Sequence, residues 1–474
     1  MSSYVNSVPG GGDEHASPNA RELTPFTKLP IEESHRARIL GVKVAKALGS
    51  VAWVPPTARL KGDSLPEFKF PLTLLFCILT AVLNANLFWG APVIEQLRAS
   101  PSTRIVGDMP SLSLAGYALA LILFCPLADE YRSRPILLLL CLTGATFTLC
   151  LAESTNSQIF KFFEVLACIS VAGCQILMAI IGEVVPPRRR AARIAMLISA
   201  TQIGAICTQP IVLALVRYSS WRALYWFVAG IQYVSLILVW LFFPDFPTNC
   251  EEMSYPNLMR AIWHMQLKKP VVFQAGVLAF SVGAVFPSQW SLLRSVIFSG
   301  TSSDKASSFF LPVAIGCLPM LISPAYAAFF GRKVTSMVTV CLGIFLCLTG
   351  IILGNASFLP DLLEYLLQIF LAEFGRELLQ VGVRLSMFSG VSQLQNSMEA
   401  LFVFWSVIGS LTATYLNIPS VANWQDSTPK DLKRAIPSLL FLLSCLVIAL
   451  ARGPREKRWV GWHGGMQWMS NTED

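Results

Sequence analysis

Residues 125–137, CPLADEYRSRPIL, close one apolar run and open the next. The runs on either side, 111–128 and 135–153, each approach the roughly 20 residues that a helix needs to cross a bilayer. Only a charged turn from Asp129 to Arg134 separates them. A second stretch of the same design, PAYAAFFGRKV, occupies 324–334. Both put small residues at a helix end, then paired cations, then another apolar run. Lined up, Arg134 corresponds to Lys333, about 200 residues later, which is the mark of an internal repeat.

Working outward from these turns, the first half of the chain holds apolar runs at 70–92, 111–128, 135–153, 158–181, 194–216 and 222–243. The second half holds runs at 271–293, 308–330, 335–354, 362–383, 397–416 and 435–451. The expected fold is an all-α membrane protein, with twelve transmembrane helices in two pseudo-symmetric six-helix halves, 70–243 and 271–452. A polar segment at 244–270 reads as the linker between them. Composition agrees: 54% of residues are apolar and 14% charged, against roughly 25% charged in soluble domains. A chain this long needs a charged surface in water, so lipid must cover most of it.

An even number of spans puts both termini on one side. Lys and Arg favour that side as cytoplasmic, most strongly through Arg188, Arg189, Arg190 and Arg193, by the positive-inside rule. Lys430, Lys433 and Arg434 speak against it. Residues 1–69 form an N-terminal tail without a signal peptide, and 1–30 read as disordered. Glu33 to Trp53 reads either as an amphipathic helix on an anionic membrane face or as a weakly ordered tail. Residues 453–474 form a short C-terminal tail. The plasma membrane is the expected location, with a vacuolar or vesicle membrane as the alternative. Asn355-Ala356-Ser357 is a glycosylation sequon too close to the membrane for use to be expected.

Several functions are excluded. The net charge of +8 is not arranged as a basic stripe with aromatics, so nucleic acid is not an expected partner. All cysteines but Cys250 lie in apolar runs, without disulfide or zinc spacing, and read as packing residues. His15, His35, His264 and His463 fall in tails or linker, so no His-ligated metal or His-centred catalytic site forms within the membrane. No G-x-x-x-x-G-K-[S/T] loop supports a primary pump. The protein is expected to be a monomer, not an enzyme, with no cofactor and no metal.

Two constellations carry chemistry. Asp129 sits at a helix end, where a carboxylate can face the N-terminus of a neighbouring helix and its positive dipole end. Arg134 and Glu183 are expected to add a charge-assisted link between the second, third and fourth spans. The alternative is that these charges only mark topology. In the tenth span, Glu373, Arg376, Glu377 and Gln380 recur at i, i+3, i+4 and i+7, on one helix face. Intramembrane charge is expensive, so this face should look into the protein or a wet cavity. Two acids around one cation leave one carboxylate short of a partner, which suits a proton carrier; a self-neutralising structural pair is the competing reading. Asn84, Asn86, Gln202, Gln209, Gln274 and Gln289 are amides within spans, candidates either for a cavity lining or for interhelical hydrogen bonds.

CPLADEYRSRPIL resembles the motif that major facilitator superfamily transporters carry between their second and third helices. Leu127, Ala128, Asp129, Arg134 and Leu137 match, while Cys125 and Arg132 replace two glycines and Ser133 replaces an arginine. GEVVPPRRRAAR at 182–193 is similar to the family's segment ending the fourth helix. FPDFPTN and KKPVVFQA are similar to fungal members related to drug:proton antiporters. The resemblance implies that Asp129, Arg134 and Glu183 gate the halves by a network that forms in one packing and breaks in the other. The second-half copy keeps Gly331, Arg332 and Lys333 but has Ala328 where the acid would fall. Many proton antiporters carry an arginine in the fourth helix; FFEVLACISVAG has Glu164 there instead, either a departure in proton coupling or an interfacial pair with Lys161.

These readings together predict a secondary active transporter that moves a small organic solute by alternating access. The resemblance implies proton-coupled efflux of a secondary metabolite or drug-like compound. Nutrient uptake by the same fold is the alternative, as is a receptor that senses a solute without moving it.

Overall fold

A computed structural model describes residues 69–90, 93, 109–246, 255–299, 305–331, 333–353, 361–390, 394–415, 442–452 and 459–462. Residues 1–68, which include the 33–53 stretch, the C-terminal tail apart from 459–462, Asn355 and the loop carrying Lys430 lie outside these residues. The first half comprises α1 (Phe70–Ala85), α2 (Met109–Glu130), α3 (Ser133–Glu153), α4 (Ser157–Cys168), α5 (Gly173–Val184), α6 (Pro187–Tyr218) and α7 (Trp221–Phe242). A 3-10 turn, Ile169–Ala172, joins α4 and α5 into a single span. After α8 (Tyr255–Lys268) the second half comprises α9 (Pro270–Ser299), α10 (Lys305–Phe330), α11 (Ser336–Leu353), α12 (Asp361–Gly390) and α13 (Gln395–Tyr415). Residues 442–449 are also helical.

The fold is an all-α membrane architecture. Seven of the described stretches are long and apolar enough to cross a membrane by length and composition. Leu74, Ile78, Leu119, Val234, Ile237 and Phe345 point outward from the bundle. Such contiguous apolar surface is unstable in water and matches lipid. Local signals set several ends. Asn156 caps α4 by accepting from the Gln158 amide at 2.9 Å. Pro187 opens α6, where its missing N–H costs nothing.

Three elements depart most from the expected boundaries. The first span ends as α-helix at Ala85, seven residues early, and tightens into i to i+3 bonds through Phe88. There the Cys168 thiol donates to the Asn86 carbonyl at 3.8 Å. α6 starts at Pro187, so Arg188, Arg189, Arg190 and Arg193 belong to a helix rather than a loop. Arg193 lies over the Phe70 ring, 5.5 Å from its centroid. α12 runs 30 residues, about 45 Å at 1.5 Å per residue, and takes Arg384 into the helix.

The linker, too, contains structure: α8 buries Leu258, Ile262 and Met265. Pro126 lies inside α2 and has no N–H to offer the Ile122 carbonyl. The Tyr255 hydroxyl donates to that carbonyl at 3.2 Å. Burial raises the Tyr255 hydroxyl above its ordinary pKa, so it stays a donor. A helix breaker in one half thus anchors the linker.

The repeat is visible in the packing. α1 meets α6 at Gly204, where a Cβ would lie 2.2 Å from the Ala81 carbonyl oxygen. α9 meets α13 at Gly409, where a Cβ would lie 2.1 Å from the Phe280 carbonyl oxygen. Both pairs are related by an offset of about 200 residues, as the two turn motifs are. Gly409→Val should lower stability by about 1–3 kcal/mol through overpacking, measured as a lower denaturation midpoint in detergent. Gly230→Ala, at a site with nothing within 4 Å of the added Cβ, should show no loss.

Candidate functional site

The two halves are joined at the turn that follows α2. Asp129 is 1% exposed and stands at the N-terminus of α13, 267 positions away in the chain from Asn396. Its Oδ1 accepts from the Asn396 amide at 3.1 Å and the Asn396 side chain at 2.9 Å. Its Oδ2 accepts from the Ser397 amide at 2.9 Å and also from the Ser397 hydroxyl. The Asn396 side chain reaches the Ala128 carbonyl at 3.3 Å as well. The first amides of a helix have no partner within it, so an anion there is held by bonds and dipole together.

The cations of the same turn go to α7 and the segment just after it. Arg132 pairs with Asp245 at 2.5 Å. Arg134, 1% exposed, donates to the Trp240 carbonyl at 2.7 Å and lies beside Asp245. The buried guanidinium turns to α7, which packs against its own helix. Glu183 is half-buried at the end of α5. Asp245 belongs to the FPDFPTN segment.

The polar face of α12 is turned inward. Glu373 and Glu377 are 2% and 0% exposed. Arg376 forms its ion pair with Glu373. Glu377 reaches across to the first half, where the Ser199 hydroxyl of α6 donates to it at 3.0 Å. Ser323 of α10 lies beside the same carboxylate. Nearby on this seam Cys207, from α6, neighbours Cys317, from α10. Gln380 accepts from Arg384 at 3.1 Å.

The amides divide. Asn84 donates to the Thr201 carbonyl at 2.9 Å, tying α1 to α6. Asn86 donates to the Ser170 hydroxyl at 3.0 Å and accepts from Gln232 at 2.8 Å. Gln274 donates to the Ile448 carbonyl at 2.6 Å. These three are engaged between elements. Gln209 is buried and Gln202 half-buried on α6. Gln289 falls within α9, and its side chain lies outside the described set.

A buried pair, Arg384 with Glu399, was absent from the expected site. Their side chains are 5% and 0% exposed, with Nε to Oε1 at 2.8 Å. The guanidinium also lies over the Phe402 ring, 4.6 Å from its centroid. The signal was present, because Arg384 continues the Glu373–Gln380 face at i+4. A cut-off at one membrane thickness placed it in a loop. Glu399 stands just inside the α13 terminus that Asp129 caps.

A helical bundle in two related halves, closed by a carboxylate across the seam and lined there by buried acids and an arginine, defines a multi-pass membrane transporter. The chain belongs to the Major Facilitator Superfamily, whose sequence profile matches residues 72–451. Its structure is similar to that of the proton:xylose symporter XylE, with 13% identity, a TM-score of 0.62, and coverage of 80% of this chain and 94% of that one. The E. coli fucose:proton symporter FucP gives 14% identity and a TM-score of 0.60 over 80% and 98%. The human organic anion transporter MFSD10 gives 16% identity and 0.57 over 81% and 100%. At these identities the likeness is one of fold. No curated protein matches the chain in sequence.

Asp129→Ala leaves the α13 amides without an acceptor, a loss of about 1.5–3 kcal/mol for charge-assisted bonds. Hydrogen exchange at Asn396 and Ser397 should then accelerate by roughly 10- to 100-fold. Mild oxidation of the native protein should yield a Cys207–Cys317 cross-linked peptide by mass spectrometry, absent in Cys207→Ser.

Proposed function

We propose that this transporter moves a small organic solute by alternating access, coupled to protons, with the buried face of α12 as its solute and proton site. The observation that carries this reading is Glu377: fully buried, beside the Arg376–Glu373 pair, and bonded to Ser199 of the opposite half. A carboxyl in that position changes partners whenever the halves part, so its proton and its packing are linked. Glu373, Arg376, Glu377 and Gln380 form the proposed core of the site, with Gln202 and Gln209 of α6 facing it and Gln289 left as a candidate. Asn84, Asn86 and Gln274 enter as ties between helices. Asp129, with Arg134 through α7, serves as the gate at the opposite end of α2 from its start, and Glu183 supports it.

Efflux of a secondary metabolite or drug-like compound across the plasma membrane, by a monomer with both termini in the cytoplasm, is the direction and setting we propose. The two halves in this reading are 70–243 and 271–452. The similarity of FPDFPTN and KKPVVFQA to antiporter segments supports it. A second reading, uptake, is supported by the names of two similar structures, both proton:sugar symporters. Arg376 favours solutes with an anionic group in either direction.

Energised vesicles bearing the reconstituted protein, screened with metabolites of the same organism with and without a pH gradient, test the proposal. Glu373→Gln or Glu377→Gln should abolish the pH-gradient dependence of flux. Coupling that survives in both single variants would falsify the assignment, and solute binding without flux would favour a receptor.

A further inference from the structure

The transport reading leaves the buried carboxyl of Glu164 unused, at the far end of the first half. Glu164 lies on α4 and is 4% exposed. It meets Ser113 near the start of α2, and Asp129 stands about 24 Å further along that helix at 1.5 Å per residue. A carboxylate anion buried in apolar surroundings is costly unless a cation meets it. Among the described residues none does. Lys161, on the same helix, makes no ion pair with it; its facing neighbours are Ser113 and Met109 from α2, Tyr225 from α7, Cys168 from α4 and Gly90. None of these carries positive charge.

The hydrogen bonding around the acid accommodates its proton. The Ser113 hydroxyl has one hydrogen but stands within bonding distance of two acceptors, Glu164 Oε1 at 2.7 Å and the Met109 carbonyl at 3.1 Å. If the hydroxyl serves the carbonyl, the short contact to Glu164 needs a second hydrogen, and a protonated carboxyl supplies it. The Tyr225 hydroxyl is 2% exposed by residue and has no hydrogen-bond partner among the described residues. It flanks Gly90 together with Glu164 Oε1, at 3.4 and 3.8 Å from the position of an added Cβ. Phe160, Trp221 and Tyr225 pack edge to face around this end, with ring centroids 5.6 to 6.1 Å apart, and exclude water from it.

We propose that Glu164 is a proton-binding site: its carboxyl holds a proton while the aromatic end of the first half is closed, and releases it to water when that end opens. On release the O–H bond of the acid breaks, the proton passes to an entering water, and the carboxylate left behind is solvated. Closed and neutral, then open and ionised, is the alternation that proton coupling requires. The inference rests on the proton-coupled reading and adds to it a second carboxyl, in the other half from Glu377.

Infrared difference spectra of the full-length protein in lipid nanodiscs, titrated across pH, use the proton itself as the probe. Wild type should show a protonated-carboxyl band at neutral pH, with one component missing in Glu164→Gln. That component should shift in frequency in Ser113→Ala, which keeps the acid but removes its hydrogen-bond partner. Glu164→Gln mimics the neutral acid and should fold; if it does not, the Ser113→Ala shift carries the test. Intensity lost by Glu164→Gln only from the ionised-carboxylate band, or no shift in Ser113→Ala, overturns the proposal. Solute flux is measured separately. A Glu164 component without pH-driven flux keeps this proton site and overturns the transport reading, whereas pH-driven flux with an ionised Glu164 overturns this site alone.

Discussion

Asp129 supplies acceptors to a helix that belongs to the other half of the molecule. The first turn of α13 has amides that no intrahelical carbonyl can reach, and they are buried where water cannot serve them. The carboxylate answers four donors from Asn396 and Ser397 at once. Bonds to an ionised acceptor contribute about 1.5–3 kcal/mol in net terms, and here they run from one half to the other. The short turn after α2 holds the acid in place. Its cations, Arg132 and Arg134, fasten the turn to α7, so a force on Asp129 is felt by the first half as a body.

The remaining polar groups divide into those that stiffen a half and those that look across the seam. Asn86, Ser170, Gln232 and Thr148 are joined by hydrogen bonds inside the first half, and Arg384 with Glu399 does comparable service between α12 and α13. Breaking a buried pair by removing one partner costs more than the pair itself contributes, so such groups specify geometry more than they add stability. Ser199 with Glu377 and Cys207 with Cys317 cross between α6 and the second half instead. In the proposed transport cycle these are the contacts that water or solute replaces.

Much of the candidate site is legible in the sequence. Asp129 at a helix end beside a cationic turn, and the i, i+3, i+4, i+7 spacing in α12, are local patterns that periodicity exposes directly. Arg384 was hidden by a length rule, because α12 is longer than a bilayer is thick. The Trp240 carbonyl that Arg134 meets was hidden for another reason: it lies 106 positions away, and a carbonyl acceptor leaves no mark in sequence. Asn84 and Asn86, two residues apart, serve different neighbours, α6 and the α4–α7 network, and no pattern distinguishes them from cavity-lining amides.

What the sequence determined by itself was everything that depends on neighbours along the chain: which runs are apolar enough to prefer lipid, where charged turns end them, which residues share a helix face, and that the pattern repeats. Hydropathy and helical periodicity are short-range properties, readable within one or two turns. The tertiary structure decided which charge meets which partner. In a low-dielectric interior a carboxylate must find its donors by position, and position there is set by close backbone approach, as at Gly204 and Gly409, between helices far apart in sequence.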